Sequence, residues 1–296
     1  MAAASTDAGG SAWRTFQELT KIRISSMSTL STAAGYVAVR RGADGPLLTT
    51  LVGTLLVAMG AAALNEVQEW RRDALMPRTC HRPIPRGVVS PLVATEIALG
   101  LAACGLLLLL WGSGPLPALI ALAAAAWYNG LYTPLKRVTA FAVVPGAVIG
   151  ALPPAIGWTA GGGDPSAPAL VVLCGVMFLW QVPHFWLLAQ LHREGYERAG
   201  FPTMSRSFSD RQVMRLVFTW TCVTIGTCTL LPLFHATRGV SGAAILGLAG
   251  AWCVTRVSSV LGHGTDPGRL RRAFMDINVL ALGVLVAVTV DGLWNR

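Results

Sequence analysis

The chain has 296 residues, 53% of them hydrophobic and only 12% charged, with a formal net charge of +9. A soluble domain carries about 25% charged residues, so a large soluble fold is excluded. The positive charge lies between apolar runs and is explained by membrane orientation, so no nucleic-acid partner is called for.

Residues 1–12 (MAAASTDAGGSA) are small and polar and read as a disordered tail. They lack the charged, apolar and cleavage regions of a signal peptide. Nine apolar runs follow, near 24–39, 47–64, 91–111, 116–132, 139–158, 169–188, 213–234, 240–260 and 273–293. Runs of this kind mark a polytopic helical membrane protein. The expected fold class is all-α, with nine transmembrane helices forming a single domain over 13–296. With a cytoplasmic N-terminus, 19 of the 23 Lys and Arg fall on the cytoplasmic side, leaving Arg40, Arg41, Arg238 and Arg296 outside. That asymmetry sets the topology. A bacterial inner (cytoplasmic) membrane is its simplest home. Six cysteines form no CxxC pair, and five lie inside spans, as small apolar core residues do.

The first span (IRISSMSTLSTAAGYVAV) is rich in small residues, which permit close helix packing in lipid and suit an interior helix. The second runs into LNEVQEWRRDALMPRTCHRPIPRG at 64–87, where Asn65, Glu69 and Asp73 are spaced i, i+4, i+8. On a helix these three oxygens stay on one face, over ~12 Å of its length. Such a row can hold Mg²⁺, which is usually shared between carboxylates and substrate phosphates. Arg78, Arg82 and Arg86 follow and suit phosphate charge. The row is therefore a candidate diphosphate–metal site.

Span three is Leu-rich at its far end and reads as lipid-facing, with Glu96 early in it. Span four ends WYNGLYTPLKR, where Lys136 and Arg137 serve either as interface anchors or as a second reach toward the phosphates. Span five carries Pro145 and the pair Pro153–Pro154, which require a kink, and a flexible GGGDPSAP loop follows. Span six holds Gln181, His184 and Gln190 in apolar helix. His184 is either bonded to a neighbouring helix or exposed to a cavity as a ligand. Glu194 and Glu197 then lie on the same side as Asp73. The polar loops 64–87 and 190–211 each follow an even-numbered span, four spans apart, as in a duplicated unit whose loops face one another. Asp276 and Asn278, early in span nine, read as facing the interior or the headgroups.

These residues resemble a known family. LTKIRI at 19–24, the N-x-x-x-E-x-x-x-D row with MPRTCHRPIPRG, YTPLKRVT, GALPPAIGW, PHFWLLA and GYERAGFP are similar, in order and spacing, to blocks of the protohaem IX farnesyltransferases (haem O synthases). These are members of the UbiA-type intramembrane prenyltransferase superfamily. The resemblance covers the chain after residue 13. It implies a nine-helix bundle around a central cavity, with farnesyl diphosphate and haem B as substrates and Mg²⁺ as cofactor. Asn65, Glu69 and Asp73 would be the catalytic and metal-holding residues. Arg72, Arg78, Arg82, Lys136 and Arg137 would bind the diphosphate, with His184, Glu194 and Tyr196 also at the substrates. Implied protein partners are haem A synthase or assembly proteins of a terminal oxidase. The chain departs from the family pattern at Ile22, Ala142 and Gly195, where Pro, Asn and Asp are usual. Glu194 or Glu197 stands nearest to the missing Asp. The alternatives are a superfamily enzyme with an aromatic or quinone acceptor, a membrane transporter, or a non-catalytic assembly factor of the haem pathway.

Overall fold

The computed structural model describes residues 7–258 and 266–294, with side chains from Ala12 onward. Residues 1–6 of the expected tail, and Arg296, lie outside the described residues. Among the described residues all regular structure is helical. The principal helices are α1 (Asp7–Leu19), α2 (Ile22–Arg40), α3 (Gly45–Asp73), α4 (Pro91–Ser113), α5 (Pro115–Ala126) and α6 (Val148–Ala160). After them come α7 (Pro168–Leu191), α8 (Arg193–Arg198), α9 (Asp210–Cys228), α10 (Val240–Val257) and α11 (Pro267–Trp294). Helix α1 starts at Asp7, so the stretch expected to be disordered is helical from there. Its last residue, Leu19, is buried against Ala63 of α3 and Ala94 and Ala98 of α4.

The chain is a multi-pass membrane protein. Among the described residues, seven helical stretches are long and apolar enough to cross a bilayer. The other two expected spans are helical but fall short of that measure. Hydroxyl groups lower the hydropathy of α2, and a π-helical turn ends α5 at Ala126. Span five opens irregularly, with a 3₁₀ turn (Ala140–Ala142) and a short helical turn (Val143–Gly146) around Pro145, while Pro153 and Pro154 lie inside the unbroken helix α6. Span three faces outward, with Leu99, Leu107, Leu110 and Trp111 exposed. The loop after α6, expected to be flexible, is a closed turn. The Trp158 indole donates to the Asp164 carbonyl at 3.0 Å, and Ser166 caps the Asp164 carboxylate.

Helix α2 is interior, and its hydroxyls are made compatible with burial locally. Ser26, Thr29, Ser31 and Thr32 each donate to the carbonyl four residues back, which satisfies them without a partner helix. Its backbone then touches α6 directly. A Cβ at Gly157 would lie 1.8 Å from the Thr32 carbonyl oxygen, and one at Gly35 would lie 2.1 Å from that of Pro154. The α3–α4 pair is also in close contact, since a Cβ at Gly60 would lie 2.6 Å from the Ala98 carbonyl oxygen. Without a hydrophobic force between helices in lipid, such contacts are what hold the bundle.

At the end of the bundle away from Asn65, Asp291 of α11 is fully buried. It accepts from the backbone amides of Arg238 and Gly239 at 2.8 and 2.6 Å and pairs with Arg41 at 3.3 Å. Arg40, Arg41 and Arg238 therefore share the end opposite the acidic row, as their charge pattern led us to expect. A Gly157→Leu substitution should lower stability by about 3 kcal/mol or more, because neither backbone can retreat. Thermal unfolding in detergent checks this, and an unshifted midpoint would mean that α2 and α6 are free to separate.

Candidate active site

The polar row occupies the last turns of α3, where Asn65, Glu69 and Asp73 are 2%, 4% and 4% exposed. Three buried polar groups on one face need partners, and the partners come from distant segments. The Lys21 ammonium, in the α1–α2 turn, donates to Asn65 Oδ1 at 2.9 Å. The Asn65 amide donates to Glu69 Oε2 at 3.2 Å and to Thr133 Oγ1 at 3.0 Å. Lys136 forms an ion pair with Glu69 Oε2. Arg82 pairs with Asp73 Oδ2 at 2.6 Å, and the Thr79 hydroxyl holds the Asp73 carbonyl at 3.0 Å.

Local backbone form explains how these groups arrive. Lys21 adopts the left-handed conformation (φ 48°), which separates α1 from α2. After α5 the π turn Trp127–Tyr132 widens the helix. The Thr133 hydroxyl donates to the Tyr128 carbonyl at 2.9 Å, supporting the widened turn, and its oxygen also accepts from Asn65. Single π turns of this kind occur often at functional sites.

These groups form the polar end of a cavity of about 270 Å³. Asn65, Glu69, Asp73, Lys21, Arg78, Arg82 and Lys136 line that end. Tyr128, Tyr132, Phe185, Tyr196 and Phe201 form an aromatic belt, and Ala58, Ala61, Ala62, Ala121 and Ala125 leave room in the apolar depth. The Lys136 ammonium stands 5.6 Å from the Tyr132 ring centre and 5.7 Å from that of Phe201. Burial, and then the neighbouring Arg82, pulls the Lys21 ammonium down to about 7. Burial likewise lowers Lys136, although Glu69 opposes the shift. Cations crowded in this way gain from an anionic ligand.

The structure therefore brings together Asn65, Glu69, Asp73, Arg78, Arg82, Lys136 and Tyr196. Arg72 is not among the lining residues, and its guanidinium covers the Phe201 ring at 4.9 Å. Arg137 donates to the Gln68 carbonyl at 2.6 Å and also stands outside the lining. Glu194 lines a neighbouring groove. Glu197 is bound by Thr203, Arg193 and Ser205, and the Thr203 hydroxyl foremost holds its carboxyl below the ordinary range. His184 lies on the seam between α7 and α11, packed on Trp180 and Phe274 with ring centres 5.0 and 4.7 Å apart. Its Nδ1 is 2.8 Å from Asn278 Oδ1. The Asn278 amide already donates to the Phe274 carbonyl, so Nδ1–H is the donor and Nε2 carries the lone pair.

Sequence reasoning missed Lys21, Thr133 and, apart from Tyr196, the aromatic belt. Lys21 lies in LTKIRI, a block that carries the resemblance but by itself points to no role at the polar row. Nothing local to Thr133 announces that it meets a residue 68 positions earlier. The donor set fits Mg²⁺. Its atoms are oxygens, and Glu69 Oε1 is buried with no hydrogen-bond partner. Among the described residues no three His, Cys, Asp or Glu side chains form a ready metal cage. An ion here would complete its shell with ligand oxygens, as Mg²⁺ commonly does. Lys136→Met leaves Glu69 a buried charge without its cation and should cost about 3–5 kcal/mol. Chemical denaturation should show the loss, and adding Glu69→Gln should recover much of it. An unchanged midpoint in the single variant would make the pair dispensable.

Comparison with known proteins identifies the family. The UbiA prenyltransferase family matches residues 28–280. A protein named Protoheme IX farnesyltransferase from Geobacter sulfurreducens is 42% identical over 212 residues, covering 72% of this chain and 78% of its own. A protein of the same name from Opitutus terrae is 37% identical over 294 residues, covering 98% of both chains. A solved UbiA homolog from Archaeoglobus fulgidus, bound to GPP and Mg²⁺, superposes with a TM-score of 0.65 at 14% identity, over 93% of this chain and 99% of that one. Its likeness shows the shared fold. The chain thus belongs to the UbiA prenyltransferase family, among the protohaem IX farnesyltransferases.

Proposed function

We propose that this protein transfers the farnesyl group of farnesyl diphosphate to a vinyl group of haem B, giving haem O and diphosphate. One observation carries the reading. An oxygen row with an open Glu69 Oε1 and a surrounding set of cations caps an otherwise apolar cavity. A diphosphate ester with a long hydrocarbon tail has the same division of polarity. The relatives named above supply the acceptor.

Asn65, Glu69 and Asp73 would hold Mg²⁺, which when bound lowers the barrier to leaving by stabilising charge on the diphosphate oxygens. The chain's own residues do the rest. Lys21, Arg78, Arg82 and Lys136 take up the negative charge that develops as the C1–O bond breaks. Tyr128, Tyr132, Phe185 and Phe201 line the cavity where the allylic cation would form and keep water from it until the vinyl carbon has attacked. A carbon–carbon bond forms at the vinyl terminus. Water then adds at the carbon next to the ring, leaving a hydroxyethylfarnesyl side chain and a proton.

We further place the polar end on the cytoplasmic side of an inner membrane, with the N-terminus cytoplasmic, because the excess of Lys and Arg gathers there. His184, with its free Nε2, is assigned to haem contact from the α7–α11 seam. Haem O made here would pass to haem A synthase or to assembly proteins of a terminal oxidase.

Purified protein incubated with haem B, farnesyl diphosphate and Mg²⁺ should yield a haem heavier by a farnesyl group and one hydroxyl group, detected by mass spectrometry. An unmodified haem under these conditions would overturn the reading. Asp73→Asn, or removal of Mg²⁺ with a chelator, should cut the rate by about 10²-fold or more. Full turnover in either case would remove the row from the chemistry.

A further inference from the structure

We propose that the propionate carboxylates of the porphyrin dock in a second, cationic groove beside the diphosphate cavity, bounded by Arg78, His192 and Arg198. The proposal rests on the farnesyl-transfer reading above. The groove encloses about 430 Å³, and Met76 and Arg78 line both it and the cavity. It lies at the polar end of the seam between α7 and α11, where Leu191 and Leu270 form its apolar side.

The charge there is unbalanced. Arg193 is committed to Glu197 at 3.0 Å and Asp210 at 3.3 Å. Arg78 and Arg198 form no ion pair among the described residues, and Glu194 is the one acidic residue lining the groove. Burial, and then the charge of Arg78, holds the His192 imidazole below its ordinary value. It is therefore neutral near pH 7 and able to donate one hydrogen bond. The Tyr196 hydroxyl is a hydrogen-bond partner of Arg78, but neither guanidinium has a counter-charge, and two such groups beside a neutral imidazole suit carboxylates, which Arg binds through paired hydrogen bonds.

The surroundings favour a porphyrin over a second diphosphate. The groove lacks a row of oxygens for a metal, and Leu191 and Leu270 give it an apolar side. Eight residues deeper on each helix, roughly 12 Å, lie His184 of α7 and Asn278 of α11. An amphiphile with both carboxylates on one edge and an apolar body beyond them matches that gradient. The vinyl groups lie on the edge away from the propionates. Docking with the propionates in the groove therefore turns a vinyl edge away from it, toward the adjoining cavity that shares Met76 and Arg78, where the farnesyl C1 would sit. An anionic lipid headgroup shares the groove's chemistry and is the other possible source of the anion.

Steady-state kinetics in phosphatidylcholine vesicles test the proposal, with haem B and its dimethyl ester as acceptors. Arg198→Gln should raise the KM for haem B about tenfold, the equivalent of one charge-assisted hydrogen bond, without changing the KM for farnesyl diphosphate. Arg198→Lys should recover most of it. The wild type should lose a similar factor with the dimethyl ester, and R198Q should lose nothing further. Equal KM values for acid and ester in both proteins would overturn the groove. So would an R198Q effect seen only when phosphatidylglycerol is added, which would assign the site to lipid. Absorbance titration with haem B alone separates the two readings. Binding weakened in R198Q without any turnover would support the groove and sink the transfer, while turnover with binding insensitive to R198Q would do the reverse.

Discussion

Charge cannot be left uncompensated at the edge of a hydrocarbon layer, and the arrangement of this molecule follows from that constraint. Asn65, Glu69 and Asp73 are buried on one face of α3, yet α3 supplies no counter-charge to them. Lys21, Lys136 and Arg82 do so from three separate segments. Each must be delivered by its own backbone device, the left-handed turn at Lys21, the π turn after α5 and the compact loop after α3. An attraction that would be slight in water becomes strong here, because little solvent screens it. The same crowding of cations is what makes the site receptive to a diphosphate.

Close helix contact provides the framework on which this charge set is held. The α2–α6 and α3–α4 pairs approach until backbone meets backbone at Gly157 and Gly60. That leaves little freedom for the angle at which α3 presents its row. The opposite end is fastened by Asp291, which joins α11 to the α2–α3 turn and to the segment before α10. Rigid helices with polar ends tied on both sides give a cavity of defined shape, and chemistry that must exclude water depends on such a shape.

Much of the site could be read from the chain because it lies along one helix face. The i, i+4, i+8 spacing of Asn65, Glu69 and Asp73, and the Arg82 that answers Asp73, are local in sequence. Lys136 was recognisable as a basic residue at a membrane interface, though not as the partner of Glu69. Arg72 and Arg137 carry the right charge close to the row, but helix geometry turns one onto Phe201 and the other onto the Gln68 carbonyl. His184 stands in a motif next to Phe185, and adjacent helix positions point in different directions. Phe185 lines the cavity, while His184 faces α11.

Sequence alone determined the all-α membrane class, the polar row and the gathering of basic charge at one end, and it carried the family resemblance. All of these are periodic or compositional, and an apolar run between charged segments has few other options in lipid. Tertiary structure alone decided which cations meet which carboxylates, which aromatic rings enclose the cavity, and that a second cationic groove adjoins it. Those facts depend on contacts between residues such as Lys21 and Asn65, or Asn65 and Thr133, that lie 44 and 68 positions apart. Contacts of that range are fixed by how helices pack, and no spacing along the chain encodes them directly.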